Sequence, residues 1–320
     1  RSGEFFEFFP ETVTSTLDTD PIDVASTHTK VSILQHAVSF DEELLLFSEQ
    51  SQFMVTGGAT LTASNISINV TTEFEADKKV KPVGSGSNVF FTFNKGNFSG
   101  VREFFVASDT DTKKADDITA NVPKFIPANV FKLATSTTEN ILIALSSDED
   151  NALYVFQYYV AQNKRLQSAW HKWTYGSTTS DKILNIDFIE NTLFIVNERS
   201  DGVYLETIDV SPALTDTGET YLTHLDRKLN NTQITESYNA GTNQTTITLP
   251  YAINNTMKVV GRSGASNKAG QEIATVSQSG TSIVVSGDIT AQNFFIGEQY
   301  EFEFQFSQQF LQVADSGGSR

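Results

Sequence analysis

The sequence predicts an all-β chain made of β-propeller-like repeats with an additional small antiparallel β-domain. Three observations predict it. A two-strand unit occurs twice in nearly the same form: Glu139-Asn140-Ile141-Leu142-Ile143-Ala144-Leu145 turns through Ser146–Asn151 into Ala152-Leu153-Tyr154-Val155-Phe156, and Glu190-Asn191-Thr192-Leu193-Phe194-Ile195-Val196 turns through Asn197–Gly202 into Val203-Tyr204-Leu205-Glu206-Thr207. Weaker echoes begin at Glu43 and Asn88, so the starting points Glu43, Asn88, Asn140 and Asn191 lie 45, 52 and 51 residues apart. A period of about 40–50 residues built from short strands is the mark of propeller blades. Phe is abundant at 25 residues and Pro scarce at 7, a bias that suits stacked sheets rather than a disordered chain. A long β-sandwich with irregularly spaced hairpins is the alternative; the ordered recurrence of similar turns favours the propeller.

Taken in order, residues 1–30 hold the aromatic cluster Phe5-Phe6, Phe8-Phe9 and then the acidic loop Asp18-Thr19-Asp20-Pro21-Ile22-Asp23. Thr27 to Phe40 has room for one strand or a short helix. After the hairpin at Glu43–Val55, Ile66, Ile68, Val70, Thr72 and Phe74 alternate with polar residues, the period-2 pattern of a half-buried strand. Lys78-Lys79-Val80-Lys81-Pro82 is a basic run that reads as a solvated loop, and Gly84-Ser85-Gly86-Ser87 as a turn. Asp109, Asp111, Asp116 and Asp117 are crowded together, but the Gly and closing Glu of a calcium loop are missing, so a short helical turn over Ala115–Ala120 is expected instead.

Both tryptophans, Trp170 and Trp173, fall in one predicted strand. They face opposite sides of it, with one expected inside and one near the surface, and His171 between them reads as packing. Pro212 and the polar stretch Thr215–Thr220 mark a boundary. Residues 1–212 are accordingly read as propeller blades, part of a longer chain, and residues 213–320 as an additional β-domain and return strand. Within the latter, Thr245–Leu249 and Thr281–Val285 read as strands. Tyr300, Phe302, Phe304 and Phe306 alternate with Glu301, Glu303 and Gln305 in the cleanest amphipathic strand of the chain.

Composition narrows the function. With no cysteine, disulfides, thiolate metal sites and Cys nucleophiles are excluded. No apolar run approaches the length of a transmembrane helix. The start at Arg1, without an initiator Met or a leader sequence, reads as a piece of a longer polypeptide. A net charge of −17 repels phosphate and argues against sequence-specific nucleic-acid binding. His28, His36, His171 and His224 are scattered, without a nucleophile elbow or a zinc-protease pair. The 39 acids leave paired carboxylates for glycoside hydrolysis open, although the repeated box of propeller sialidases is missing. Six Asn-x-Ser/Thr sequons, at Asn65, Asn69, Asn97, Asn230, Asn243 and Asn254, fit chance in a chain rich in Asn and Thr. No residue is singled out as catalytic, cofactor-binding or metal-ligating.

Several stretches carry a family resemblance. Gln167-Ser168-Ala169-Trp170-His171-Lys172-Trp173, Ile186-Asp187-Phe188-Ile189-Glu190-Asn191-Thr192-Leu193 and Asp201-Gly202-Val203-Tyr204-Leu205-Glu206 resemble the nozzle proteins (tail tubular protein B) of short-tailed double-stranded DNA phages, podoviruses of the autographivirus-like kind. Phe8-Phe9-Pro10, Asp18–Asp23, Lys81-Pro82-Val83-Gly84, Arg102-Glu103-Phe104-Phe105, Val122-Pro123-Lys124 and His224-Leu225-Asp226-Arg227 are similar to the same family, in order, over about residues 5–227. The resemblance implies a virion tail protein, much longer than this chain, with a β-propeller and added β-domains. It implies a hexameric ring of copies at the tail tip, below the adaptor (tail tubular protein A), touching the tail fibres and meeting the host cell surface. Its channel would retain the viral DNA and then conduct it without sequence-specific binding, and no cofactor is implied. The alternative class is a propeller that binds or hydrolyses host-surface polysaccharide.

Overall fold

The structure is a computed structural model. It describes the chain apart from residues 1–8, 11, 13, 27, 29–32, 108–109, 111, 162–163, 176–180, 212–213, 265–267 and 307–320. Phe5, Phe6, Phe8, Asp109, Asp111 and Pro212 therefore lie outside the described residues. The chain is all-β: strands make up nearly all of its regular structure, and one short 3-10 turn at Asn231–Gln233 is the sole helical element among the described residues. It divides into two compact units, Arg1–Leu214 and Thr215–Arg320.

The first unit is a series of antiparallel meanders. The first sheet runs β1 (Leu34–Phe40), β2 (Glu43–Ser48), β3 (Gln52–Thr56) and β4 (Ser67–Thr72) in chain order. The second runs β5 (Val83–Ser85), β6 (Asn88–Lys95), β7 (Phe98–Ala107) and β8 (Thr112–Asp117), with the two-residue β9 (Ile126–Pro127) also on β7. The third is β10 (Val130–Ser136), β11 (Ile141–Ser146), β12 (Glu149–Ala161) and β13 (Lys164–Thr174). The fourth has three strands, β14 (Lys182–Ile189), β15 (Thr192–Arg199) and β16 (Gly202–Asp209). The repeat seen in the sequence is the hairpin of the second and third strands of each sheet: β2–β3, β6–β7, β11–β12 and β15–β16. A shared hydrogen bond marks the repeat, since the Asn140 carbonyl accepts from Tyr158 N–H (3.1 Å) and the Asn191 carbonyl from Val210 N–H (3.0 Å).

The alternation of β-strands explains how the sheets pack. Along β11, Leu142 and Ala144 point into a core shared with Phe90, Val101 and Ile126 of the second sheet. Ile141, Ile143 and Leu145 point the other way, onto Ile183, Ile186, Leu193 and Ile195 of the fourth. Phe40, Leu45, Phe47 and Met54 of the first sheet pack in the same manner on Val89, Phe91, Phe104 and Ala115 of the second. Each sheet thus lies face to face on the next. The opening strands follow suit: β1 lies beside β5, β5 beside β10 and β10 beside β14. A sheet covered on both faces needs apolar residues at every position, which is why β11 is buried throughout.

Two expectations for this unit are corrected. Ala115–Ala120 is not a helical turn. Thr112–Asp117 is strand β8, paired with β7 from Ala107 to Arg102, and Ala115 is buried in the core between the first two sheets. Burial of Ala115 and the ladder to β7 outweigh the local preference, and the chain turns only afterwards, where the Asp117 carboxylate accepts from Thr119 N–H at 2.8 Å. The tryptophans do face opposite sides of β13, but both are half-buried, rather than one inside and one near the surface. Trp170 packs on the core between the second and third sheets and donates to the Ile118 carbonyl at 2.9 Å, while Trp173 packs on the core between the third and fourth. A strand between two covered faces gives each ring a core to pack on while part of its surface stays exposed.

The second unit holds two antiparallel sheets. One is ordered β17 (Asp226–Asn230), β24 (Phe294–Glu298), β20 (Met257–Gly261) and β21 (Glu272–Ile273). The other is ordered β18 (Thr235–Asn239), β19 (Gln244–Thr248), β23 (Ser282–Ser286) and β22 (Thr275–Ser279). Ile247, Val259, Ile283, Val285, Phe294 and Ile296 are buried in it. Gly297 is needed where β24 meets β17, because a Cβ there would lie 2.7 Å from the Asp226 carbonyl. The strand expected at Tyr300–Phe306 belongs to no sheet among the described residues. Alternation specifies a face but not a neighbour, and β24 already has β17 on one side and β20 on the other.

Candidate functional site

The scattered histidines end in separate surroundings. His28 sits edge-on to Phe53, with Nε2 3.3 Å from Glu73. His36 Nε2 lies 2.9 Å from the Lys78 carbonyl. His171 is tilted against Trp173, and burial depresses its pKa, so the imidazole is neutral at neutral pH. His224 borders a shallow hollow with Leu225, Tyr300 and Phe302 in the second unit. Among the described residues no group of three His, Asp or Glu side chains is placed to hold a metal ion.

Lys78 and Lys79 of the basic run line a hollow of about 530 Å³ where turns of the first three sheets meet. Glu49 comes from the β2–β3 turn, Asn94 from the end of β6 and Asn129 from the turn before β10. Lys78 is paired with Glu49 at 3.0 Å, and Glu75 and Asp77 share the same wall. The acids offset the lysines, so this hollow has no excess positive charge with which to hold a phosphate.

Several polar constructions join one sheet to the next, and composition and spacing gave no signal for them. Arg165 of β13 forks onto Glu103 of β7, with Nη1 donating to Oε2 at 2.6 Å and Nη2 donating to Oε1. Its guanidinium also lies over the Tyr158 ring at 4.7 Å. Asn88 Nδ2 donates to the same Glu103 at 2.6 Å. Burial works against the Arg165 charge, but the Glu103 carboxylate outweighs it and holds the pKa up. Lys132 of β10 reaches Asp187 of β14 at 3.3 Å, and the Ser136 hydroxyl donates to the Glu190 carbonyl at 3.0 Å. Within the third sheet, burial works against the Glu149 carboxylate, yet bonds from Lys172 (2.9 Å) and the Tyr154 hydroxyl keep its pKa below the ordinary value. The first two constructions join neighbouring sheets and the third braces two strands of one sheet.

The family model for bacteriophage nozzle proteins matches residues 1–320, the whole chain. The chain belongs to the bacteriophage nozzle protein family. A tail tubular protein, gp12 of Escherichia phage T7, is 29% identical over 331 residues, covering 100% of this chain and 41% of that protein. The chain therefore spans about two fifths of the length of this curated relative. Membership makes it a structural component of the phage tail within the virion. Among solved structures, Kluyveromyces lactis Hsv2 superposes with a TM-score of 0.38 at 12% identity, over 68% of this chain and 65% of that one. The N-terminal domain of Nup159 gives 0.28 at 11% identity, over 87% and 76%. At these scores neither likeness carries an argument about this nozzle protein.

Proposed function

We propose that this nozzle protein forms part of a ring at the tip of the tail that retains the viral DNA and then conducts it during ejection, without catalysis of its own. The observation that carries the reading is the family match along the entire chain. In this reading the four meanders of the first unit are consecutive propeller blades, and the second unit is an added β-domain. Six copies surround the channel, the adaptor sits above them and the tail fibres attach alongside. The net charge of −17 supports a conducting role. DNA adheres to proteins through Lys and Arg that displace its counterions, and a chain with 22 basic against 39 acidic residues has few to spare. The acids of the channel wall would keep DNA sliding rather than bound.

The test is a phage assembled without the full-length protein. The expected result is heads that package DNA but leave it open to added nuclease, together with purified protein that releases no sugar from host envelope polysaccharide. Particles that keep their DNA protected, combined with sugar release by the purified protein, would overturn the reading in favour of a polysaccharide-degrading propeller.

A further inference from the structure

The hollow bordered by Lys78 and Lys79 has walls held in place by their own backbone. Ala76 N–H donates to the Glu49 carbonyl (3.0 Å) and Asp77 N–H to the Thr92 carbonyl (2.8 Å), which ties the link after β4 to both the first and the second sheet. Across the hollow, Ser147 N–H donates to the Asn129 carbonyl (3.1 Å) and Asn129 Nδ2 to Asp148 (2.8 Å), which joins the turn before β10 to the β11–β12 turn. A cavity of about 530 Å³ lies within the usual range of small-molecule sites, roughly 300–1,000 Å³. Walls fixed in advance lower the ordering cost of binding.

The side chains of the wall divide into engaged and unengaged. Glu49 is paired with Lys78 (3.0 Å), and the Asp77 carboxylate accepts from Lys79 N–H (2.9 Å). Gln50, Glu75 and Asn94 also line the hollow, are exposed, and have no side-chain partner among the described residues. The Phe131 ring lines it too and is 39% exposed. The two amides both donate and accept, the carboxylate accepts, and the ring offers a flat apolar face. Three acids against two lysines disfavour an anionic ligand. An apolar ligand would strip water from the amides and return no hydrogen bond. A sugar ring satisfies both kinds of surface, with hydroxyls around its rim and C–H groups across its face.

We propose that this hollow binds a neutral saccharide, with the C–H face of one sugar ring on Phe131 and its hydroxyls on Gln50, Asn94 and Glu75. Such hydrogen bonds replace bonds to water and net little each, so a Kd on the order of 1 mM is expected for a short saccharide. The sugar is held and not cleaved. Glycoside hydrolysis uses two carboxylates at one bond, and with Glu49 and Asp77 engaged, Glu75 is the single unengaged acid of the wall among the described residues. The proposal rests on the hollow and does not depend on the role in DNA passage.

Saturation-transfer NMR on the full-length protein tests it, with maltose, lactose and cellobiose as neutral probes and a sulfated heparin disaccharide as the charged one. The expected result is transfer to ring C–H protons of a neutral probe, with binding weakened about tenfold by Phe131→Ala and about threefold by Asn94→Ala. Asn97→Ala, on the β6–β7 turn outside the hollow, is expected to bind like the unaltered protein. Asn94 is exposed and unpartnered among the described residues, so its variant keeps the test open should Phe131→Ala fail to fold. No transfer to any neutral probe, equal binding by all three variants, or tighter binding of the sulfated disaccharide than of the neutral ones would each overturn the proposal.

Discussion

The third and fourth sheets grow from nearly the same stretch of sequence and meet different surroundings. In both, a Glu-Asn pair leads into an apolar strand, a polar turn and a return strand with tyrosine near its start. In the third, Leu142 and Ala144 meet the second sheet while Ile143 and Leu145 meet the fourth, so both faces are core. In the fourth, Leu193 and Ile195 face the third sheet, but the other side offers Ile189, Val203 and Leu205, all exposed. The same hairpin can therefore serve inside a stack or at its end. What differs is the neighbour on the far face and the strand on the far edge, neither of which the repeat itself encodes.

The largest test of this contrast is truncation on the far face. Leu142→Ala is expected to cost about 2–5 kcal/mol, because it opens a cavity against a neighbouring sheet that cannot collapse into it. Leu205→Ala, on the far face of the fourth sheet, is expected to cost under about 0.5 kcal/mol, as an exposed substitution does. Denaturant titration of both variants reads the difference, and equal losses would break the comparison.

Next in size is the charged clasp between the second and third sheets. Arg165→Ala leaves Glu103, whose side chain is only 5% exposed, without its forked partner, and is expected to cost about 2–3 kcal/mol. Lys132→Ala, at the corresponding join between the third and fourth sheets, releases Asp187 into water, since that carboxylate is 73% exposed, and is expected to cost under about 1 kcal/mol. A double-mutant cycle on each pair separates the interaction from the truncation.

The smallest effect is a pH dependence at the join between the third and fourth sheets. Burial lowers the pKa of His171 below its unfolded value of 6.5. The unfolded chain then binds a proton before the folded one does, so the contribution is fully present above pH 6.5 and is lost as pH falls from 6.5 towards the lowered folded value. The denaturation midpoint should fall over that window, and His171→Gln should flatten the slope. At lower pH, protonation of Glu149, whose folded pKa is depressed, removes a second contribution as pH drops through that depressed value, and Glu149→Gln isolates it.

Much of the fold was legible because hairpins are local. The repeat at Glu43, Asn88, Asn140 and Asn191 marked the hairpin of the second and third strands of each sheet, and the alternation at Ile66–Phe74 marked β4. Where non-local partners decided the outcome, local pattern misled. Ala115 reads as helical until β7 lies beside it, and Trp170 and Trp173 read as one inside and one near the surface until each meets a core of its own. The Glu103–Arg165 clasp joins residues 62 apart and left no trace in composition or spacing. The functional reading came from scattered matching stretches rather than from a site.

The most direct measurement of the central claim is the mass of the full-length protein in solution by light scattering, alone and mixed with the tail adaptor. The account predicts a ring-sized species, either at once or on addition of the adaptor. A monomer whose mass is indifferent to the adaptor would contradict it.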